Sequence, residues 1–260
     1  MLAGGRIFPM AEDKSNIWKA DWQGYMLFSK FYSQIFELLK NHYDRGINNL
    51  IHQTSSERKS ENDRLAEHMM ISYLWGLEDL DQTNSLINKF FKKAPMIVRQ
   101  HAIYFIGGSL EKILIEDKIN RTNSWPKLKT FWAKRVKEAK DEELLAFLDW
   151  LENVPENESI DSLIDLIKPS IKPSKGYLFL HDLFGYLIDN AKNHPVSTIS
   201  ILLEVIKVKK TTREGYADPS DMRKIIEETR KCPECKEMVN EAVNALSDMG
   251  YFEFRPLLVA

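Results

Sequence analysis

Apolar residues recur at spacings of three and four through most of the chain, and this is the period of a helix with one buried face. The amino-terminal stretch shows the pattern in Phe28, Phe31, Tyr32, Ile35, Phe36 and Leu39. Glycine is scarce, with 11 in 260 residues, and the 10 prolines fall mostly between the periodic stretches. Because an all-β fold needs frequent turn glycines, the sequence favours an all-α fold.

Turn and proline signals divide this pattern into about ten helices of roughly 10–18 residues, joined by short connections as in helical hairpins. Pro95, Pro126, Pro155 and Pro195 recur with a loose period of about 30–40 residues, close to that of HEAT-type helical pairs. The sequence therefore predicts an all-α, HEAT-like α-solenoid of stacked helical hairpins, whose curvature creates a concave binding face.

A polar run over residues 54–62 is the best linker candidate in the chain. It separates two predicted parts. We expect an amino-terminal helical segment, residues 1–54, to pack on one continuous HEAT-like array formed by residues 63–260.

A family resemblance lies in the second half of the chain. Its pattern is carried by Trp132, Arg135, the segment 143–150, the pair His194-Pro195 and the segment 250–258. These residues resemble the HEAT-like helical carboxy-terminal regions of large bacterial proteins, many of them signal-transducing NTPases of the STAND type. The resemblance covers roughly residues 64–258 and implies a helical array that binds a partner or senses a ligand, without catalytic residues. The chain contains no G-x-x-x-x-G-K-[ST] loop, so ATP binding of that kind is not expected.

Charge and cysteine content limit the binding partners and the cellular location that we expect. The net charge of −2 and the pI near 6.3 provide no overall attraction to nucleic acid or to an anionic membrane. Neither an apolar amino-terminal run nor an uncharged apolar stretch of about 18 residues occurs, so we expect no signal peptide and no membrane span. The two cysteines lie too close together to staple a fold, which favours a reducing, cytoplasmic location.

The two cysteines form the only sequence motif that is typical of a metal or redox site. Cys232 and Cys235 provide two ligands where tetrahedral zinc needs four, and a thioredoxin-like motif would follow a strand. The interpretation favoured is a helix break, with Pro233 in the first turn of the final helix. Metal binding and redox chemistry remain the alternatives.

No catalytic motif is visible. The six histidines are scattered one to a helix or loop, and no H-E-x-x-H, G-x-S-x-G or calcium-loop spacing occurs. We therefore predict a chain that is not an enzyme and needs no cofactor. Carboxylates brought together only by folding would leave no local trace in the sequence.

One predicted helix is strongly basic, and an acidic segment follows it. Lys127, Lys134 and Lys137 should project to solvent, since apolar residues between them face inward. The basic helix and the acidic segment can compensate each other's charge at the surface. Alternatively, these lysines and a second basic run, residues 207–213, can neutralise phosphates of a nucleic acid.

Two function classes follow from these patterns. The first is a non-catalytic protein-interaction, sensor or scaffold module, either the carboxy-terminal arm of a larger bacterial signalling or defence protein or a free-standing relative. It predicts a protein partner. The alternative is a HEAT-like nucleic-acid-binding protein that uses a basic face, and the near-neutral net charge makes it the second choice.

Overall fold

The computed structural model describes residues 15–50, 60–116, 121–139, 142–171, 180–212 and 218–259. Within these ranges every regular element is helical and no strand occurs, which confirms the all-α prediction. The described part contains twelve α-helices and four 3-10 helices, more than the ten or so predicted. None of its helices is both long and apolar enough to cross a membrane. The linker candidate lies outside the described residues except at positions 60–62.

The chain divides into two units, Met1–Ile106 and Gly107–Ala260. The helices of the first unit are α1 (Ser15–Phe28), α2 (Ser33–Leu38), α3 (Lys40–Asn48), α4 (Glu61–Leu74) and α5 (Leu86–Lys93). A sixth helix, α6 (Met96–Glu116), begins in the first unit and ends in the second. The sequence predicts a boundary at residues 54–63, most of which lie outside the described residues. Helices α4 and α5 belong to the first unit because they pack on α1 and α3.

A buried polar chain runs through the aromatic core of the first unit. The Tyr43 side chain is fully buried, and its hydroxyl lies 3.1 Å from the Tyr25 hydroxyl and 2.7 Å from Nδ1 of His68. Burial lowers the pKa of His68 to about 4, so this imidazole is neutral at neutral pH. The polar chain is therefore uncharged, which allows it to sit among Trp22 and Phe36 with its hydrogen bonds made.

The second unit contains both α-helices and 3-10 helices. Its α-helices are α7 (Arg121–Glu138), α8 (Ile164–Ser170), α9 (His181–Asn190), α10 (Pro195–Thr212), α11 (Pro219–Thr229) and α12 (Lys236–Asp248). Its 3-10 helices are Glu142–Asn153, Ile160–Ser162, Pro233–Cys235 and Phe252–Leu257. Helix α10 packs on α8, α9, α11 and α12, and is the central element of this unit.

The acidic segment that follows the basic helix forms a 3-10 helix, Glu142–Asn153, and not an α-helix. In a 3-10 helix, residues three apart lie directly above one another. One row of this helix is Leu144, Phe147 and Trp150, all buried against α7, where the Phe147 ring stacks on Trp132 at 5.4 Å between ring centroids. A twelve-residue 3-10 helix is unusually long, and this aromatic row supplies the burial that holds it.

A buried ion pair joins the end of α7 to the start of this 3-10 helix. The Arg135 guanidinium donates from Nε to Oε1 of Glu143 at 2.7 Å and from a terminal nitrogen to Oε2 at 3.1 Å. The Glu143 side chain is fully buried. A bidentate pair of this kind fixes both position and orientation, because the planar guanidinium matches the two carboxylate oxygens.

We expect the Glu143→Gln substitution to lower the free energy of unfolding by about 2 kcal/mol, because it removes the buried carboxylate and leaves Arg135 paired with the partly exposed Glu138 carboxylate at 2.8 Å. The matched control is Glu241→Gln on α12, where the carboxylate meets Lys207 at 3.5 Å and both side chains are more than half exposed. The control should change stability by less than about 1 kcal/mol. Urea unfolding measures both. Equal effects of the two substitutions would show that the Arg135–Glu143 pair does not hold α7 to the 3-10 helix.

A second prediction concerns acid stability and His68. An unfolded histidine takes up a proton near pH 6.5, whereas folded His68 does not until about pH 4, so acidification through this range favours unfolding. Between about pH 7 and pH 5 the loss should be on the order of 2 kcal/mol. The His68→Asn variant keeps a polar atom near the Tyr43 hydroxyl but cannot titrate. Between about pH 7 and pH 5, we therefore expect its free energy of unfolding to fall by about 2 kcal/mol less than that of the wild type. Urea unfolding of both proteins at the two pH values measures this difference. An identical loss in the two would place the acid sensitivity at another group.

Candidate functional site

A cavity of about 450 Å³ lies in the second unit, beside the end of the 3-10 helix Glu142–Asn153 and along α9. Five of its lining side chains are carboxylates: Glu152, Glu156, Glu158, Asp182 and Asp189. Among the described residues that line it, only His181 can carry a positive charge. We refer to this cavity as the acidic cleft.

Two helices with different periods bring the carboxylates together. On the 3-10 helix, Asp149 and Glu152 are three residues apart and therefore lie one above the other. On α9, Asp182, Tyr186 and Asp189 follow at spacings of four and three, which places them on one face of an α-helix. The 3-10 helix packs against α9, so the acidic row and the acidic face meet.

The carboxyl groups at this meeting point repel one another in a partly desolvated setting. Burial and a hydrogen bond to Glu152, together with the Glu152 charge, raise the pKa of Asp182 to about 6. Burial, followed by the charges of Asp182 and Glu152, raises the pKa of Asp149 to about 6 as well. A hydrogen bond between two carboxyl groups requires a proton on one of them, so the cluster exchanges protons close to neutral pH.

Tyr186 adds an unsatisfied polar group to the wall of the acidic cleft. Its hydroxyl oxygen is buried and has no hydrogen-bond partner within the described part of the chain. Burial raises the pKa of Tyr186 to about 12, and the charges of Glu158 and Asp161 contribute to the shift. A buried hydroxyl without a partner is uncommon in proteins, and here it lines a cavity in which a ligand can complete its hydrogen bonds.

Glu158, at the other side of the acidic cleft, is already occupied by structural contacts. It accepts hydrogen bonds from Lys129 at 2.7 Å, from the Trp125 indole at 3.0 Å, and from the Ser162 hydroxyl. Although burial acts to raise the pKa of Glu158, these bonds hold it below its ordinary value. Glu158 is therefore a charged anchor between α7 and the 3-10 helix Ile160–Ser162.

The lysines singled out from the sequence lie elsewhere, along one face of α7. Lys127 and Lys137 are exposed, and the ammonium group of Lys134 lies 3.9 Å from the Glu138 carboxylate. Two other basic residues of α7 form close pairs, Lys129 with Glu158 and Arg135 with Glu143, so much of the helix's positive charge is compensated. In the second basic run, Lys207 and Lys210 face Glu241 and Asp248 at 3.5 and 3.2 Å, and Arg213 lies outside the described residues.

The cysteine motif forms a turn that leads into a helix. Cys232 and Cys235 are both free thiols, and the 3-10 helix Pro233–Cys235 between them runs directly into α12. Burial and the neighbouring Cys232 raise the pKa of Cys235 to about 12, which keeps its thiol protonated and unreactive. Within the described ranges, no group of three or more His, Cys, Asp or Glu side chains is placed to hold a metal ion.

The structure thus brings together residues that sequence reasoning did not select. The sequence assigns Asp149 and Glu152 to the acidic segment that balances the basic helix at the surface, and it does not single out Asp182. One local signal is present in the sequence: Glu143, Ala146, Asp149 and Glu152 are each three residues apart. Residues at this spacing lie directly above one another only in a 3-10 helix.

The raised pKa values predict how the acidic cleft affects stability. A carboxyl group with a raised pKa stabilises the fold at low pH, and this contribution is lost as the pH rises through about 6. We therefore expect Asp182→Asn to raise the melting temperature at about pH 7.5 and to have about half that effect at about pH 5, which lies between the unfolded and folded pKa values. Thermal unfolding at both pH values tests this. A variant that is destabilised equally at the two values would contradict the proposed repulsion.

Similarity to known proteins does not assign a function to the acidic cleft. The chain matches no family model, no curated protein and no solved structure with which it was compared. What the cleft does must therefore follow from its own chemistry.

Proposed function

We propose that the chain is a non-catalytic protein-interaction module that binds a lysine- or arginine-rich segment of a partner protein in the acidic cleft. The observation that carries this proposal is the excess of carboxylates over cations at one cavity. Glu152, Glu156, Asp182 and Asp189 line the cleft together with Glu158, which pairs with Lys129.

The electrostatics favour a cationic ligand over a neutral one. The pKa values of Asp149 and Asp182 are raised because their charged forms are partly buried and repel Glu152. An ammonium or guanidinium group in the cleft would relieve this repulsion and form charge-assisted hydrogen bonds, which are stronger than neutral ones. The buried Tyr186 hydroxyl can accept a further hydrogen bond from the same ligand.

The size and shape of the cleft favour a segment of a protein. A cavity of about 450 Å³ is larger than one ammonium group requires and falls in the range of sites that hold several side chains or a small ligand. Several exposed carboxylates spread along α9 and the 3-10 helix match a row of basic side chains better than they match a single ion.

The family resemblance supports the same class of function. HEAT-like arrays bind partners through extended surfaces formed by successive helices. A role as the interaction or sensor arm of a larger bacterial signalling or defence protein is consistent with a helical chain whose cleft is lined mainly by carboxylates. The solenoid arrangement of the helices is part of this proposal.

Binding of a labelled lysine-rich peptide, followed by fluorescence anisotropy, tests the proposed function. We expect Asp182→Asn and Asp189→Asn each to weaken binding about tenfold, which corresponds to about 1.4 kcal/mol. The matched control is Glu227→Gln, which removes an exposed carboxylate on α11 far along the chain from the cleft residues. Binding should weaken as salt is added, and a glutamate-rich peptide should not bind.

The same experiment separates binding from catalysis. After incubation with the protein, the mass of the lysine-rich peptide should be unchanged. Cleavage that disappears in Asp182→Asn would replace the proposed interaction module with an enzyme. Failure of the peptide to bind even at low salt would contradict the proposed function.

Nucleic-acid binding by the α7 lysines is the second candidate. Its support is the exposure of Lys127 and Lys137 on the helix face that also carries Lys134. Anisotropy with a labelled DNA duplex tests it, because binding through phosphates falls steeply with salt and should be lost when the three lysines become glutamate. The pairing of Lys129 and Arg135 with carboxylates makes this candidate the weaker one.

A further inference from the structure

A second cavity, of about 410 Å³, lies in the first unit, where α1, α3 and the start of α4 meet. Its lining includes two indoles, Trp18 and Trp22, together with the charged side chains of Lys19, Arg45 and Glu61. The other lining residues are uncharged. We call this the indole cavity.

The aromatic wall of the indole cavity is held in place from several directions. The Trp18 and Trp22 rings stack with centroids 5.7 Å apart, and the Trp18 indole nitrogen donates a hydrogen bond to Nδ1 of His42 at 2.8 Å. The Trp22 ring lies so close to Gly46 that a Cβ atom at this position would fall 2.7 Å from a ring carbon. A wall fixed in this way is formed before any ligand arrives, which reduces the entropy lost on binding.

Glu61 provides a negative charge with an unmet hydrogen bond. It is the first residue of α4, and its Oε2 atom is buried without a hydrogen-bond partner among the described residues. Burial raises the pKa of Glu61, and the charge of Lys19 acts in the opposite direction. A buried carboxylate oxygen that accepts no hydrogen bond is unfavourable, and a positively charged donor in the cavity would satisfy it.

Arg45 provides the opposite charge at the same cavity. Its guanidinium carbon lies 4.3 Å from the centre of the Trp18 ring, a cation–π contact that positions the group. Within the described part of the chain, the guanidinium forms no ion pair, either with Glu61 or with another carboxylate. Glu61 and Arg45 therefore line one cavity without pairing with each other, and Lys19 lies on the same wall.

We propose that the indole cavity binds a free α-amino acid. The ligand's ammonium group would pair with the Glu61 carboxylate, and its carboxylate would pair with the Arg45 guanidinium, which is suited to bidentate recognition of a carboxylate. A ligand with both charges a few ångströms apart satisfies both groups at once, whereas a simple cation or anion leaves one of them unpaired. This site lies in the first unit and does not depend on the function proposed for the acidic cleft.

Isothermal titration calorimetry with the standard L-amino acids, each at up to about 10 mM, tests the proposal. For every amino acid that binds, the N-acetyl and the carboxamide derivatives are titrated next. We expect either cap to reduce the affinity at least about tenfold, because each removes one of the two charges.

Two variants locate the site. Glu61→Gln keeps the shape of the side chain without its charge, and Arg45→Met keeps an unbranched stem beside Trp18 without the guanidinium. Each should weaken binding at least about tenfold, whereas Glu37→Gln, which removes an exposed carboxylate on α2, should leave it unchanged. Circular dichroism and the melting temperature confirm that each variant is folded.

Three results would overturn this assignment. They are the absence of binding heat with every amino acid tested, undiminished binding of a capped derivative, and wild-type affinity in folded Glu61→Gln. None of these results bears on peptide binding at the acidic cleft, so the two proposals fail separately.

Discussion

The bidentate ion pair between Arg135 and Glu143 sets the register on which the acidic cleft depends. Glu143 begins a row of residues three apart on the 3-10 helix, and the row continues through Ala146 to Asp149 and Glu152. With Glu143 held at one end and the Leu144, Phe147 and Trp150 row buried on α7, the remaining acidic residues have to face α9. The buried ion pair and the buried apolar row thus together place two carboxylates at the other end of the helix beside α9.

The sequence predicts the helical class of the protein better than it predicts the cleft. Phe131 and Trp132 on the basic helix are fully buried, and their apolar spacing follows an α-helical period, which does not depend on partners. The stretch 142–153 also contains helical apolar spacing, but periodicity does not distinguish a 3-10 helix stabilised by an aromatic row from an α-helix. Nor does it reveal that Asp182, thirty residues beyond Glu152, packs beside it, since that contact exists only after folding.

Charge compensation explains why the basic cluster that stands out in the sequence is not the charged site that stands out in the structure. The basic residues of α7 attract attention as a cluster, yet Lys129 and Arg135 are neutralised by Glu158 and Glu143. The carboxylates of the acidic cleft are individually unremarkable in the sequence, and they repel one another in the structure. Proteins retain such unfavourable local arrangements mainly where a ligand makes use of them, because the repulsion lowers stability in the absence of a partner.

The most direct test of this account is the pKa of Asp182, measured from its carboxyl carbon by NMR with and without a bound lysine-rich peptide. Without peptide, the pKa should lie near 6. A cation in the cleft stabilises the charged carboxylate, so linkage requires the pKa to fall when the peptide binds. A fall of about one unit or more is the result that the account predicts. An unchanged pKa in the presence of saturating peptide would show that the acidic cleft is not where a basic partner binds.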